Sequence, residues 1–398
     1  MQDTSMSRRL LPVIILLPWV TVNGTQIIAV LQEMSRALSV SETSVKFIST
    51  IPNLTMIISS LIGGTIVGRH LSYKAHVLIA AMLMVLSGTG PYFMDDFKLI
   101  MVTRGIFGFA MGFMSSVSSS IIFRFIPVDK RARYMGYGTT SMFSGTVIYM
   151  LIGGVLGNYG WRYVFLIHLL VLIPMTVVVM RLPKKLHSVA PIEAHTYDRP
   201  KTRIGARLPP LCIFFILTSV IYHLFFQPLL VNIPFILSGM GIGSPSTASI
   251  VLSLNTIAAA LAGGLFGFAA KKLRRYVLPF AYVLCAAGMC IAFFATGLPL
   301  LILGSMIAGG GFAMTTMAML LEVGTFVPKE DIGLFSGINM AANCVGVFCA
   351  TAYMGLLTRL GLTSPRAPLA VSSVGVSVLM LITLGYIIVN GRRKERGL

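Results

Sequence analysis

Long apolar stretches recur along the whole chain, and each is long enough to cross a lipid bilayer as a helix. The hydrocarbon core of a bilayer is about 30 Å thick, which about 20 helical residues span. Charged residues make up only 11% of the chain, against roughly 25% in soluble globular proteins. The pattern therefore predicts an all-α integral membrane protein. We place twelve transmembrane helices at residues 10–32, 44–67, 75–94, 97–122, 135–157, 161–181, 208–236, 246–270, 276–296, 299–325, 332–357 and 367–390.

Basic residues are distributed unevenly between the two sides of such a bundle. The net charge is +19, which in a soluble chain would suggest nucleic acid as a partner. If the N-terminus is cytoplasmic, 24 of the 31 lysines and arginines fall in cytoplasmic segments and 6 in segments on the other side. This is the positive-inside pattern of membrane proteins. It predicts a multi-pass protein of the cell membrane, plasma or inner, with both termini in the cytoplasm and no nucleic-acid partner.

One long polar stretch divides the predicted helices into two groups. We assign residues 1–181 to an N-terminal six-helix half, 182–207 to a cytoplasmic linker and 208–398 to a C-terminal six-helix half. Two pseudo-symmetric halves are the form that secondary transporters take, with the substrate site near the bilayer midplane. The halves share glycine and proline positions at an offset of 200 to 201 residues: Gly63-Gly64 with Gly263-Gly264, Gly108 with Gly309, Pro127 with Pro328, Gly136 with Gly337, Gly145 with Gly346, and Gly154 with Gly355.

Three short segments carry a specific resemblance to a known family. Residues 104–112 read Arg-Gly-Ile-Phe-Gly-Phe-Ala-Met-Gly, residues 127–131 read Pro-Val-Asp-Lys-Arg, and residues 157–165 read Gly-Asn-Tyr-Gly-Trp-Arg-Tyr-Val-Phe. On these segments the chain resembles the major facilitator superfamily over nearly its whole length. Within that superfamily it is most similar to the twelve-helix drug/proton antiporters. The resemblance implies a transporter that works by alternating access.

The resemblance also implies two gating motifs, in which this chain departs from the family pattern. After helix 2, Gly68 stands where the family has an aspartate, and on helix 5 Tyr149 and Met150 replace a Gly-Pro pair. On helix 1, Asn23 stands where many drug antiporters have a carboxylate. The residues assigned to gating are Gly64, Gly68, Arg69, Gly145, Gly153 and Gly154.

Arg104 is a charged residue inside a predicted span, in the helix that begins near Phe97. A charge at mid-bilayer costs at least about 2.5 to 3.5 kcal/mol, so it persists mainly where it faces the bundle interior, a water-filled cavity or a partner. Two interpretations stay open at this point. Arg104 either bonds backbone carbonyls of a neighbouring helix and shapes the bundle, or takes part in substrate binding or coupling.

Neutral polar residues and histidines supply the remaining candidates, because none of the acids falls at the predicted midplane. The repeat offset pairs His223 with Asn23, and a histidine titrates closest to working pH. The expected substrate-binding residues are Arg104, Asn23, Gln26, His223, Gln227, Tyr149, Asn255, Asn339 and Asn343. The proton-coupling candidates are His223, His168, Glu33 and Glu322. The histidines expected to be solvated in or beside cytoplasmic loops are His70, His76, His187 and His195.

We interpret the chain as a secondary active transporter that exports a small amphipathic or drug-like molecule, with proton exchange as one coupling mode. The alternative is uptake or exchange of a small organic anion, with a facilitator or uniporter mode included. The sequence contains no Walker A motif, metal-ligand cluster or nucleophile elbow, so no enzyme activity, cofactor or metal is expected. The expected partners are a small-molecule substrate, the lipid bilayer and, with coupling, protons, and we expect a monomer.

Overall fold

The computed structural model describes residues 2–21, 24–67, 71–126, 128–182, 210–324 and 332–395. These residues are helical apart from short connections and an isolated β-bridge between Val67 and Leu71. The α-helices are α1 Gln2–Thr21, α2 Leu31–Ala37, α3 Glu42–Ile66, α4 Tyr73–Thr89, α5 Phe97–Phe125, α6 Val128–Gly157, α7 Leu172–Arg181, α8 Pro210–Gly239, α9 Pro245–Leu273, α10 Val277–Phe294, α11 Leu298–Gly324, α12 Ile332–Arg359 and α13 Ala367–Glu395. The 3₁₀ segments are Thr25–Val30, Gly90–Phe93, Trp161–Val171 and Arg274–Tyr276.

Eleven stretches within the described residues are long and apolar enough to cross a membrane. One of them, Pro245–Phe294, has 50 residues, and at about 1.5 Å per residue it would be more than twice as long as the bilayer core is thick. This stretch holds both α9 and α10, and α9 ends where Arg274 adopts a φ of 50°. The predicted all-α membrane fold is confirmed, and α9 and α10 account for two of the twelve predicted spans.

The chain folds into two compact units, Met1–Arg207 and Leu208–Leu398. In the first, a core of buried side chains from α1, α4, α5 and α7 includes Leu10, Val77, Val117 and Val178. In the second, α10 packs against α11 and α13, α11 packs against α9, and α8 packs against α12. The predicted linker at 182–207 lies outside the described residues except for Leu182, so the linker and its boundaries stay predictions.

Polar caps explain where several spans begin. The Ser41 hydroxyl accepts a hydrogen bond from the backbone N–H of Ser44 at the start of α3, and Ser244 accepts one from Thr247 at the start of α9. The first N–H groups of a helix have no partner within it, so a side-chain oxygen at the cap satisfies one of them. These caps fix the helix starts at the ends of the apolar stretches.

Each unit contains its own version of one inter-helix contact, at positions related by the repeat offset. In the first unit, the Thr55 hydroxyl on α3 donates a hydrogen bond of 2.8 Å to the carbonyl of Gly105 on α5. In the second unit, the Asn255 amide on α9 donates one of 2.7 Å to the carbonyl of Ser305 on α11. Both bonds join residues 50 positions apart. The repeat found in the sequence therefore corresponds to equivalent hydrogen bonds in the two units, with threonine as the donor in one and asparagine in the other.

The first and sixth predicted spans are not continuous α-helices. Residues 10–32 include α1, the 3₁₀ segment Thr25–Val30 and the first residues of α2, while residues 161–181 begin with the 3₁₀ segment Trp161–Val171 before α7. Asparagine and glycine are weak helix formers, and aromatic and β-branched side chains lose rotamer freedom in an α-helix. Gly24 is such a weak helix former, and the run from Trp161 to Phe165 is rich in aromatic and β-branched side chains. Hydropathy recorded the spans but not the change of helix type inside them.

Candidate functional site

Arg104 lies on α5, seven residues after its start at Phe97, and is 1% exposed. Its Nε donates a hydrogen bond of 3.2 Å to the backbone carbonyl of Ile48 on α3. The guanidinium stacks over the ring of Phe107, with 4.3 Å between Cζ and the ring centroid. The bond to Ile48 is the helix contact that the first interpretation of Arg104 expected.

That contact uses only part of the guanidinium. The buried Nη1 of Arg104 has no hydrogen-bond partner among the described residues. In the same part of the chain, the ion pair present joins Arg162 to Asp95 and does not involve Arg104. Guanidinium groups carry five N–H donors, and a buried donor without a partner costs free energy comparable to a lost hydrogen bond. Arg104 is therefore a buried cation with a hydrogen-bond donor that is not used within the described residues.

His168, from the 3₁₀ segment Trp161–Val171, contacts Phe107, the ring over which Arg104 stacks. Its ring contacts Phe107 edge to face at 4.9 Å, and its Nδ1 lies 2.8 Å from the carbonyl of Phe165. Because a carbonyl only accepts, Nδ1 is the donor, and Nε2 of the neutral ring is then an acceptor. This Nε2 is buried and has no hydrogen-bond partner in the described chain.

Glycines make room for these side chains. A Cβ at Gly88 on α4 would lie 2.4 Å from the His168 ring, and a Cβ at Gly24 would lie 3.0 Å from Phe107 and 3.6 Å from Arg104 Nη2. Thr25, next to Gly24, has a buried hydroxyl without a hydrogen-bond partner in the described residues. We call Arg104, Phe107 and His168 the Arg104 cluster.

The Arg104 cluster combines a cation, a free acceptor and an aromatic wall. An unpaired guanidinium binds carboxylate or phosphate groups, often with two parallel hydrogen bonds. The free Nε2 of His168 can accept a hydrogen bond, and the buried ring of Phe107 contacts both Arg104 and His168. Sequence reasoning named Arg104 and His168 but missed Phe107, for which residue type alone gives no signal.

A second set of predicted residues meets in the C-terminal unit. His223 on α8 is buried, and its Nδ1 lies 2.9 Å from the carbonyl of Ser219. The Ser219 hydroxyl donates a 2.5 Å hydrogen bond to the side-chain carbonyl of Asn343 on α12. The His223 ring also contacts the edge of Phe312 at 5.6 Å. The structure thus brings His223 and Asn343 together through one serine.

Aromatic residues surround His223. The rings of Phe226 and Phe312 stack with centroids 4.3 Å apart, and Tyr222 stacks on Phe312 at 6.2 Å. A Cβ at Gly346 would lie 2.8 Å from the His223 Cβ, so a glycine at that position lets α12 approach α8 closely. This aromatic set was not predicted from the sequence.

The other predicted site residues lie apart from these two sets or are bonded locally. Gln26 is buried in the 3₁₀ segment Thr25–Val30, where Gly153 of α6 approaches it closely. Tyr149 contacts Trp19 edge to face at 6.3 Å. Gln227 is buried on α8, and Asn255 is bonded to Ser305 as described above.

The remaining candidates have fewer described contacts. Glu33 on α2 and Asn339 on α12 are half-buried. Glu322 is half-buried near the end of α11. Gly64 is in the last turns of α3, and Gly145 and Gly154 are buried on α6. The residues outside the described part of the chain are Asn23, Gly68 and Arg69, together with His70, His187 and His195.

The expectation that His76 is solvated is wrong. Its side chain is 0% exposed, stacks on the ring of Phe113 at 3.6 Å, and places Nε2 2.8 Å from the Phe113 carbonyl. The Ser72 cap starts α4 at Tyr73, which puts His76 in the first turn and on the side that packs against α5. Proximity to a loop in the sequence did not show which side of the helix the residue occupies.

Comparison with known proteins gives a consistent family and a consistent fold. The family model described as Major Facilitator Superfamily matches residues 14–244 and 215–397. No curated protein matches the chain significantly by sequence.

Solved structures match nearly the whole chain. One is a bacterial homolog of the human lysosomal transporter Spinster, in an inward-facing and occupied conformation, with a TM-score of 0.75, 16% identity, and coverage of 98% of this chain and 97% of that one. A D-xylose-proton symporter has a TM-score of 0.71 at 16% identity, with coverage of 95% and 96%. The nucleoside transporter NupG, in a mutant form, has a TM-score of 0.70 at 13% identity, with coverage of 95% and 99%. At these identities the likeness concerns the fold.

Proposed function

Because the chain belongs to the Major Facilitator Superfamily, whose members are transporters, we propose that it carries a small organic anion across the membrane by alternating access. The observation that supports this substrate class is the buried guanidinium of Arg104. It has an unused donor, and within the described residues no carboxylate pairs with it. A buried charge is retained at a cost that a binding partner offsets, and an anionic substrate is such a partner.

The surroundings of Arg104 favour an organic anion over a small inorganic one. Phe107 covers one face of the guanidinium, and His168 contacts the same ring. A substrate with a carboxylate next to an apolar or aromatic body would use the donor at Arg104 and the ring of Phe107 together. The free Nε2 of His168 would then orient a hydroxyl or amide group on the substrate.

The test is ligand-induced stabilisation followed by flux. We would measure the melting temperature of the purified chain with benzoate, the cationic dye ethidium and the neutral sugar D-xylose, and then the flux of each in proteoliposomes. We expect benzoate or a related aromatic carboxylate to stabilise the protein and to be transported. Flux of ethidium without flux of any carboxylate would contradict the anion proposal.

Substitution of Arg104 connects the flux to the site. Arg104→Lys keeps the charge but loses the planar fork, so we expect carboxylate affinity to fall by about tenfold or more while the melting temperature of the ligand-free protein changes little. Arg162→Lys is the matched control, because Arg162 is paired with Asp95 and partly exposed. Wild-type flux and stability in both Arg104→Lys and Arg104→Ala would leave Arg104 without a binding role.

We keep export of an amphipathic or drug-like molecule in exchange for protons as the second candidate function. The stacked rings of Tyr222, Phe226 and Phe312 beside His223 favour it, since buried aromatic surface suits apolar cargo. The ethidium arm of the flux experiment decides between the two candidates. Dye export that depends on a pH gradient would support this one.

A further inference from the structure

A compact group of basic side chains lies at the turn between α9 and α10. Four of the five residues from Lys271 to Arg275 are basic, and all four basic side chains are exposed. None of the four forms an ion pair within the residues that the structure describes. We call Lys271, Lys272, Arg274 and Arg275 the basic turn.

The basic turn continues an apolar surface of α9. Leu261, Leu265 and Phe268 are 63%, 61% and 69% exposed. They recur at intervals of three and four residues, so they lie on one side of the helix. Lys272 follows Phe268 at the next interval of four and extends the same side. In a membrane helix this exposed apolar side faces lipid tails, and a basic residue at its end lies at headgroup level.

The α10 side of the turn has the same arrangement. Tyr276 and Phe280 are 43% and 39% exposed, and Val283 continues this side of the helix at 47%. The guanidinium of Arg275 lies over the Tyr276 ring at 5.3 Å. Tyrosine is enriched at membrane interfaces because its ring prefers apolar surroundings and its hydroxyl prefers water. Tyr276 therefore marks the interface, and the cation beside it lies at the same level.

Most of these charges are not repeated in the N-terminal half of the chain. By the repeat offset, Lys271, Lys272 and Arg275 correspond to Leu71, Ser72 and Ala75 in the N-terminal half. Arg274, in contrast, corresponds to Lys74. Three of the four basic residues are therefore not repeated at the equivalent positions of the N-terminal half.

We propose that the basic turn is a binding site for the phosphate group of anionic phospholipids. Clusters of lysine and arginine next to a transmembrane helix attract anionic headgroups. Four unpaired cations, an interfacial tyrosine and two exposed apolar helix sides provide both the charge and the tail contacts that a phospholipid needs. The lipid supplies both parts together, whereas free phosphate supplies only the charge.

The experiment uses the purified full chain and native mass spectrometry with phosphatidylglycerol or phosphatidylcholine added at equal concentration. The variant Lys271→Gln/Lys272→Gln/Arg275→Gln removes the three additional charges and leaves Arg274, whose positive φ belongs to the helix end. The matched control, Lys98→Gln/Arg181→Gln/Arg359→Gln, removes three exposed charges elsewhere. We expect wild type and control to retain phosphatidylglycerol over phosphatidylcholine, and the basic-turn variant to lose about tenfold in that retention.

Each contrary outcome overturns the proposal. Equal retention of both lipids by wild type would show no preference for anionic headgroups, and equal loss in both variants would show a general charge effect without a site. A thermal-stability measurement with inorganic phosphate distinguishes binding of a free phosphate ion from binding of a phospholipid. If phosphate stabilises the wild type as much as short-chain phosphatidylglycerol does, the site binds a free anion and not a lipid.

Discussion

Two buried histidines, one in each unit, bond to the backbone in nearly the same way. The Nδ1 of His168 lies 2.8 Å from the carbonyl of Phe165, and that of His223 lies 2.9 Å from the carbonyl of Ser219. In each ring Nε2 is then the nitrogen that can take up a proton. Their neighbours differ. His168 contacts Phe107, whose ring lies against the Arg104 guanidinium, whereas His223 is surrounded by aromatic rings and Ser219.

This difference leads to a prediction about proton coupling. Protonation beside the cation of Arg104 is opposed by charge repulsion, while the surroundings of His223 contain no such cation among the described residues. We therefore expect His223→Gln to abolish accumulation driven by a pH gradient in proteoliposomes, while downhill exchange stays measurable. His168→Gln is the matched variant and should keep the gradient response.

The reverse pattern would move the coupling group to His168. Persistence of gradient-driven accumulation in both variants would leave Glu33 and Glu322. A wild type that ignores the pH gradient would indicate facilitated diffusion or substrate exchange. Each result is read from the same accumulation assay.

The sequence predicted which residues lie inside the membrane spans better than it predicted which side chains contact each other. Apolar periodicity placed Arg104 and His223 inside spans, and both are buried. It could not show that Asn255 bonds to Ser305, or that His76 packs on Phe113. Hydropathy depends on position along a helix axis, whereas a contact depends also on rotation about that axis and on the neighbouring helix. The repeat offset was the one sequence signal that carried information about such contacts.

At the scale of helices, close packing of α5 on α3 and of α11 on α9 depends on glycines at repeated positions. A Cβ at Gly108 would lie 2.2 Å from the carbonyl oxygen of Pro52, and one at Gly309 would lie 2.5 Å from the carbonyl oxygen of Asn255. Backbone atoms cannot move aside as a flexible side chain can. The equivalent glycines Gly108 and Gly309 thus have the same steric role in the two units.

We expect Gly108→Ala and Gly309→Ala each to destabilise the protein by about 1 to 3 kcal/mol, because the added methyl group overpacks the helix interface. Neighbouring glycines on the same helices serve as controls. A Cβ at Gly105 or Gly310 would meet its nearest neighbour at 3.8 Å or 3.5 Å, which is ordinary contact. Thermal unfolding in detergent should show lower melting temperatures for the first pair of variants only. Equal melting temperatures for all four would contradict the proposed close approach.

At the scale of the whole molecule, the fold limits which connections share a side of the membrane. Each transmembrane helix reverses the side on which the chain emerges, so the start of α8, the turn between α9 and α10, and the end of α13 lie on one side. The turn between α8 and α9, which contains Gly241, lies on the other. The bias of 24 basic residues to 6 predicts that the first side is cytoplasmic, and this prediction places the basic turn in the cytoplasm.

We therefore expect a reporter that folds only in the cytoplasm to be active when fused after Leu398 or inserted near Glu193. The same reporter inserted at Gly241 should be inactive. Gly241 is a suitable control site, since it has a φ of 73° in an exposed turn and no heavy atom lies within 4 Å of a Cβ built there. Activity at Gly241 alone would reverse the orientation and place the basic turn against the outer leaflet. Activity at Leu398 but not near Glu193 would instead require an odd number of crossings in the C-terminal half, which contradicts the six helices that α8 to α13 provide.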